Sequence, residues 1–444
     1  MQLDFCKKIE KQYQGSVGKN FADELVEFIL KEDVFRCCNK QLFFYRKDLR
    51  YYIPIDKQNE WHVISCFIEE TDRSRISHTK ADEIVNRLKD TYSIQRDIED
   101  FNSDLYYVNL LNGVYSIKDQ GLAENYKSPH FTYYLNVNYI KRPGRKMSAF
   151  EDFCKSSLGG DPIKRKYLLQ MIGYCCTQLT AAKKCFILLG PPNCGKSLIL
   201  HLIEYIVGEE YISSLQLEKL GKRFSSSVLS GKLLNICGEL SAKSLKDIET
   251  FKLIVGGDRL SGEFKGKDIF EFRNKCKLLF AGNILPPVKN EDVSTAFADR
   301  ISLLIFPDSI PAEKRNPNLR VMLEKEADSI FSEAIDTVAE LIKKNYLFPK
   351  MEDAERFLAD YSFNQTHIDN FIEEWCEVRK EYRIHTKKLY QHYLDYCELN
   401  IVRPISQSLF SQKINSVKGV VNSRFRLKGG ESLRGFTGIT LKKM

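Results

Sequence analysis

Eight residues, Gly190-Pro191-Pro192-Asn193-Cys194-Gly195-Lys196-Ser197, constrain this chain more than any other stretch. They lie between an apolar run, Cys185 to Leu189, and a stretch in which Leu198, Leu202 and Ile206 recur at helical spacing before Gly208. The order strand, glycine loop, helix is that of a phosphate-binding loop. Glycines at both ends let consecutive backbone N–H groups turn inward on an anion, and the helix N-terminus adds its positive end. Lys196 would reach the outer phosphates and the Ser197 hydroxyl would ligate Mg²⁺, so the pattern predicts a nucleoside triphosphate site. A chance glycine turn before a core helix is the bland alternative, and it does not account for the correct neighbours on both sides.

At 444 residues the chain is long enough for two or three domains. Its 43% hydrophobic and 28% charged residues are those of an ordinary globular protein, which argues against disorder. No apolar stretch approaches a bilayer span, and MQLDFCKKIEKQYQG lacks a signal-peptide apolar region, so a cytoplasmic protein with no membrane partner is expected. The thirteen cysteines include adjacent pairs but no C-x-x-C, which predicts reduced core thiols rather than a disulfide framework or a zinc site.

Charge is placed unevenly. From Asn400 onward nine basic residues face one acid, Glu431, and this excess equals the whole chain's net charge of +8. A basic end on a neutral body suggests a polyanion-binding module. Phe410, Ile414, Val420, Val421, Phe425, Leu427 and Phe436 interleave with the charges, as a folded unit requires and a solvated tail does not.

Residues 1 to about 145 read as a mixed α/β unit: FADELVEFILKED has helical period, QLFFYRKDLRYYIPI reads as a hairpin, and Asn112-Gly113 marks a turn between apolar runs. A helical stretch broken at Gly159-Gly160 occupies 146–183. From 184 to about 306 strands and helices alternate, as a parallel nucleotide-binding sheet requires. The stretch NPNLRVMLEKEADSIFSEAIDTVAELIKKN reads as helix, FIEEWCEVRKEY and TKKLYQHYLDYCEL have helical periods, and short strands around glycines close the chain.

Beyond the loop, the apolar strand Leu233 to Gly238 ends in Glu239, where a carboxylate can orient and polarise an attacking water. A further strand, Lys277 to Gly282, ends in Asn283, whose amide can hold the γ-phosphate or the same water. Between them Ser244 with Asp247 could cap a helix, and Gly256-Gly257-Asp258 opens a hairpin tipped by Lys265-Gly266-Lys267. Those lysines could follow a sugar-phosphate backbone, or form a solvated turn. Arg300 in AFADRISLLIFP could act on a neighbouring subunit's γ-phosphate, or pair with Asp299.

In this order, GPPNCGKS, LLNICGEL, FKLIVGGD, KLLFAGN and ADRI resemble the superfamily 3 helicases of the AAA+ class, and in particular the helicase part of phage, plasmid and poxvirus-type primase-helicases. LLNGVYSI, Phe150 to Phe153 and YLLQMIGYCCTQ resemble that family's N-terminal associated domain; IHTKKLYQHYLDYCELN and PISQSLFSQKI resemble its C-terminal winged helix. The resemblance implies an α/β chain with an N-terminal domain (1–145), a helical collar (146–183), an AAA+ ATPase domain (184–360) and a winged-helix domain (361–444). It implies a hexameric ring that hydrolyses ATP with Mg²⁺ and moves 3′ to 5′ along one DNA strand in a host cytoplasm, bacterial on this reading. By residue match, Lys196 and Ser197 bind phosphate and Mg²⁺, Glu239 activates water, Asn283 senses the γ-phosphate, and Arg300 is the arginine finger. Lys265 and Lys267 contact DNA in the pore. On the winged helix, Gln407 to Lys413 would recognise duplex, with Arg424, Arg426 and Lys428 on the wing.

Two departures stand out. Gly238 occupies the position where many members carry a second acid, and too little chain precedes residue 150 for a primase domain as well as the associated domain. Asp97-Ile98-Glu99 reads as a charged helix face, so no primase activity is expected and a separate primase or polymerase is. Competing readings are an origin-binding or regulatory protein whose nucleotide site switches oligomeric state, a small-molecule phosphotransferase, which explains neither the basic end nor the hairpin, and a packaging motor, for which no nuclease-like acidic cluster is found.

Overall fold

The computed structural model describes residues 11–15, 20–124, 130–142, 144–241, 247–266, 268–286, 297–400, 404–426 and 432–442. Lys267, Lys428 and Ser244 therefore lie outside the described residues. The N-terminal part begins with the helix Phe21–Lys31, whose Phe21, Leu25 and Ile29 face inward, and an antiparallel sheet β1 (Phe35–Cys38), β2 (Gln41–Arg46) and β3 (Tyr51–Pro54). The helix His78–Asp90, capped by the Ser77 hydroxyl, completes this core with Ile84 and Leu88. A second small sheet follows, β4 (Tyr107–Leu110), β5 (Gly113–Ser116) and β6 (Gly121–Leu122), and its Val108, Leu110 and Tyr115 belong to the main core of the molecule.

That main core surrounds a five-stranded, all-parallel sheet of order β13-β7-β12-β9-β8, made of β7 (Cys185–Leu189), β8 (Ile212–Ser213), β9 (Leu234–Cys237), β12 (Lys277–Gly282) and β13 (Ile301–Ile305). Parallel strands joined by crossovers are covered on both faces, which is why β7, β9 and β12 are mostly apolar, with only Asn235 in β9 and Lys277 at the start of β12 polar, and are buried along their length. The hairpin β10 (Arg259–Gly262) and β11 (Phe270–Arg273) projects between β9 and β12 in sequence. Its preceding helix, Ile248–Gly256, is capped by the Asp247 carboxylate on the Thr250 N–H.

The stretch broken at Gly159-Gly160 forms the helices Ser148–Leu158 and Pro162–Cys175. Gly173 lies where the second of these crosses the helix Ala327–Lys343: a Cβ there would sit 2.3 Å from the Ala334 carbonyl oxygen. The segment expected as one helix from Asn316 is two, Leu319–Lys325 and Ala327–Lys343. The break at Glu326 frees its carboxylate to accept from the Ser148 hydroxyl and from the Ala149 and Phe150 N–H groups at 2.9 to 3.0 Å. Glu326 thereby caps a helix remote in sequence, whose own N-cap residue, Met147, makes no side-chain cap.

The C-terminal part has a separate core around Phe371, Leu389, Tyr393, Phe410 and Phe436. The helix Glu352–Trp375 leads into β14 (Cys376–His385), then the helices Thr386–Leu399 and Gln407–Ser416, then β15 (Val421–Phe425) and β16 (Leu433–Leu441), in an antiparallel sheet of order β14-β16-β15. The helical reading of FIEEWCEVRKEY is thus correct only to Trp375. Cys376 turns extended and pairs with Leu441, so tertiary pairing overrides the helix-forming charges of EVRKEY. The expected charged helix face at Asp97 to Asp100 is a single tight turn, Ile98–Asp100, held by a reciprocal cap between Asp97 and Asp100.

Candidate functional site

The phosphate loop leaves β7 at its C-terminal end, and two backbone positions show why glycine stands there. Gly195 has φ of +103°, and a Cβ on it would meet the Ser157 hydroxyl at 2.6 Å and the Phe153 ring at 2.9 Å. At Gly190 a Cβ would meet the Phe306 carbonyl at 2.6 Å. The segment after β13 braces the loop from outside: the Ile310 N–H donates to the Asn193 carbonyl and the Ser309 hydroxyl to the Pro192 carbonyl. Cys194 points inward and is buried, while Pro192, Asn193 and Ser197 are exposed.

Lys196 opens the helix Lys196–Val207 and is only 9% exposed. Its Nζ donates to the Gly190 carbonyl at 2.8 Å, the Pro191 carbonyl at 2.7 Å and the Asn283 Oδ1 at 3.3 Å. The ammonium is therefore presented at the loop mouth with the amide from the end of β12 beside it. Glu239, two residues beyond β9, is exposed at the same end of the sheet, and the Leu240 N–H donates to the Ala281 carbonyl, tying that strand end to β12. Loop, Glu239 and Asn283 line one cleft of about 810 Å³.

Its other walls were not foreseen from sequence. Asp152 and Ser156 come from the helix that Glu326 caps; Lys314, Arg315, Leu319 and Met322 come from the segment after β13. Arg315 is positioned by its Nε donating to the Ile310 carbonyl at 2.7 Å. The sequence signal was the basic pair in PAEKRNPN, close behind a strand that borders the loop strand. These walls fit a nucleotide: N–H groups and cations for phosphates, apolar Leu319 and Met322 for a base. For Mg²⁺ they offer the exposed Ser197 hydroxyl, with no acid at position 238. Among the described residues no cluster of three or more His, Cys, Asp or Glu side chains could hold a metal by itself.

Arg300 lies elsewhere. It precedes β13, and its carbonyl accepts from the Cys185 N–H at the start of β7, so it stands at the end of the sheet opposite the loop. Five strand residues at about 3.3 Å each separate the two ends by roughly 16 Å. The Asp299 backbone carbonyl accepts from Lys184 Nζ.

Lys265 is exposed at the tip of the β10–β11 hairpin, beside Gly266 with φ of +76°. The hairpin is clamped to the body by Arg223, which makes two hydrogen bonds to Glu263 at 2.7 and 2.9 Å. In the C-terminal sheet Arg424 and Arg426 are exposed, and Arg424 is directly paired with Arg434 across β15 and β16.

Three known families match parts of the chain: "D5 N terminal like" over residues 20–159, a family of unknown function (DUF5906) over 188–300, and "Poxvirus D5 protein-like" over 366–429. A protein of Acanthamoeba polyphaga mimivirus provisionally named a helicase is 23% identical over 208 residues, which are 45% of this chain. The match covers 22% of that relative's length, so the chain spans about a fifth of it. Among solved structures, an apo structure of the NrS-1 C-terminal region is similar over 93% of this chain and 98% of its own, with a TM-score of 0.52 and 13% identity. An A-form apo structure of the same region has the same coverage and identity and a TM-score of 0.50. At this identity the likeness is one of fold.

Proposed function

We infer, from a chain that belongs to the phage- and virus-type D5 family of superfamily 3 helicases, that it is a replicative DNA helicase working as an ATP-driven ring that moves 3′ to 5′ along one strand. The observation that carries this reading is the meeting of Lys196, Asn283 and Glu239 in one cleft while Arg300 stands at the far end of the sheet. A finger so placed serves a neighbour's nucleotide, not its own, which favours a closed ring, taken here as a hexamer of AAA+ subunits.

ATP is the substrate. Backbone N–H groups of Gly190 to Gly195 hold its phosphates, Lys196 turns from the loop carbonyls to the outer phosphate oxygens, and Ser197 is the Mg²⁺ ligand. The metal, when bound, neutralises charge on the phosphates. Glu239 takes the proton of the attacking water, Asn283 orients that water, and Arg300 of the neighbouring subunit stabilises charge on the γ-phosphoryl group.

Lys265, with Lys267, grips the strand in the pore through the hairpin. The C-terminal part acts as a winged helix, with the helix Gln407–Ser416 in the groove and Arg424, Arg426 and Lys428 on the wing, and it recognises an origin. Residues 1–145 form the associated domain and 146–183 the collar that holds the ring. A separate primase or polymerase supplies synthesis.

The test is ATP-dependent unwinding of forked duplexes with a 3′ or a 5′ tail, using Lys196→Ala and Glu239→Gln as controls. Unwinding that needs a 3′ tail and is lost in both variants is the expected result. ATP binding with DNA-indifferent hydrolysis and no unwinding would assign the chain to the nucleotide-switched origin-binding proteins.

A further inference from the structure

The helix Gln407–Ser416 turns Phe410 and Ile414 into the C-terminal core. At about 100° per residue, the positions opposite them are Ser408, Gln412 and Asn415, and all three are exposed. Every exposed residue of this helix is uncharged: Gln407, Ser408, Leu409, Gln412, Asn415 and Ser416. Its one cation, Lys413, is partly buried, and that burial pushes its ammonium down to about 8 against the opposing effect of Asp369.

This neutrality is confined to one face. The preceding helix, Thr386–Leu399, exposes Lys387, Lys388 and Glu398. Exposed cations also follow the neutral face in sequence: Lys418 just after the helix, and Arg424, Arg426 and Arg434 on or beside β15 and β16. Helix and sheet are joined at this point, because the Asn422 N–H donates to Asn415 Oδ1 at 2.9 Å. That bond occupies the amide oxygen of Asn415 and leaves its NH2 group. Among the described residues, neither the Ser408 hydroxyl nor the Gln412 amide has a hydrogen-bond partner.

A helix that only followed phosphates would turn cations outward, as the sheet beside it does. Amides and a hydroxyl with no charge among them are the chemistry that reads base edges.

We propose that Gln412 is the base-reading residue of the C-terminal part, taking an adenine edge in the major groove of duplex DNA through paired hydrogen bonds to N6 and N7. Ser408 and Asn415 lie one helical turn to either side, about 5 to 6 Å, which brings them to adjacent base pairs. The arginines of β15 and β16 hold the flanking phosphates. The inference rests on the reading of this part as a duplex-binding module, and it adds which residue selects sequence and for which base. An amide offers one donor and one acceptor side by side, and adenine presents the complementary N7 acceptor and N6 donor. Guanine presents two acceptors there, which would leave the amide oxygen unpaired. Affinity then comes from the sheet and choice of sequence from the helix.

The test uses the full-length chain to select from a pool of blunt duplexes with about 20 random base pairs, without ATP. The parent should enrich a sequence with a fixed A·T pair. Gln412→Ala should lose the preference at that pair alone and bind the selected duplex about tenfold more weakly. Its affinity for a duplex altered at that pair should match the parent's, and the slope of log affinity against log salt should not change, since no phosphate contact is removed. Gln412→Glu should move the preference to cytosine, whose N4 amine donates to a carboxylate. A residue with only a structural role would not exchange one base for another. Gln412 is exposed, and equal Tm values for the three proteins would show that the fold is kept. An enriched sequence that Gln412→Ala selects equally well, or a lost preference for any base but adenine, overturns the proposal while duplex recognition by this part stands. No enriched sequence from the parent overturns it together with origin recognition, and ATP-dependent unwinding, measured separately, shows whether the helicase reading survives.

Discussion

Lys196 and Asn283 meet at the mouth of the phosphate loop, the lysine Nζ donating to the asparagine Oδ1 at 3.3 Å from the end of the neighbouring strand β12. On the proposed mechanism this hydrogen bond joins the amine that reaches the outer phosphates to the amide that senses the γ-phosphate. Asn283→Ala should therefore lower kcat for ATP by about 10² to 10³, the usual cost of one preorganised donor, with nucleotide affinity unchanged. Steady-state kinetics beside equilibrium nucleotide binding would separate the two; an equal loss in both would make Asn283 a binding residue only.

Arg300 supports a test that needs two chains. If it acts on a neighbour, Arg300→Ala and Lys196→Ala proteins should each be inactive alone and partly active when mixed, because one supplies an intact loop and the other an intact arginine. Recovery of ATPase activity on mixing and reannealing would be the signature. An Arg300→Ala protein with ordinary activity would remove the finger from the mechanism.

How much of this was legible beforehand differs by element. β7, β9 and β12 could be read because a parallel strand buried on both faces is a mostly apolar run, and the positions of Glu239 and Asn283 just past β9 and β12 follow from that. The strand β14 was not legible: its charges favour helix, and only pairing of Cys376 with Leu441 and of Ile384 with Phe436, more than fifty residues away, makes it extended. Arg315 was missed because its place in the cleft is set by the course of the chain after β13, which no local period reports. The lysine pair at the hairpin tip was read from turn chemistry, and the structure describes Lys265 of the two.

Glu326 gives a stability prediction with a functional consequence. Its carboxylate accepts three hydrogen bonds at the start of the helix Ser148–Leu158, and Ala149, one of the donors, also lines the cleft at the Gly190–Ser197 loop. Glu326→Ala should cost about 1 to 3 kcal/mol, within the range of a missing cap and unsatisfied N–H groups. For a domain of 150 to 250 residues each kcal/mol lowers Tm by about 2 to 4 °C. Thermal unfolding should show that fall, with a smaller shift on adding nucleotide than in the parent. An unchanged Tm would mean that water replaces the carboxylate at no cost.

Arg424 and Arg434 stand directly opposite each other across β15 and β16, both exposed. Like charges so paired destabilise a sheet by a few tenths to about 1 kcal/mol, and a bound polyanion would offset that repulsion. Arg434→Ala should leave Tm unchanged or slightly raised while weakening duplex binding. The slope of log affinity against log salt should become shallower by about 0.9 for each phosphate that the variant no longer neutralises. The two readouts move in opposite directions only if the pair serves DNA. A lowered Tm with DNA binding intact would make Arg434 a structural residue of the sheet and place the duplex-binding surface elsewhere.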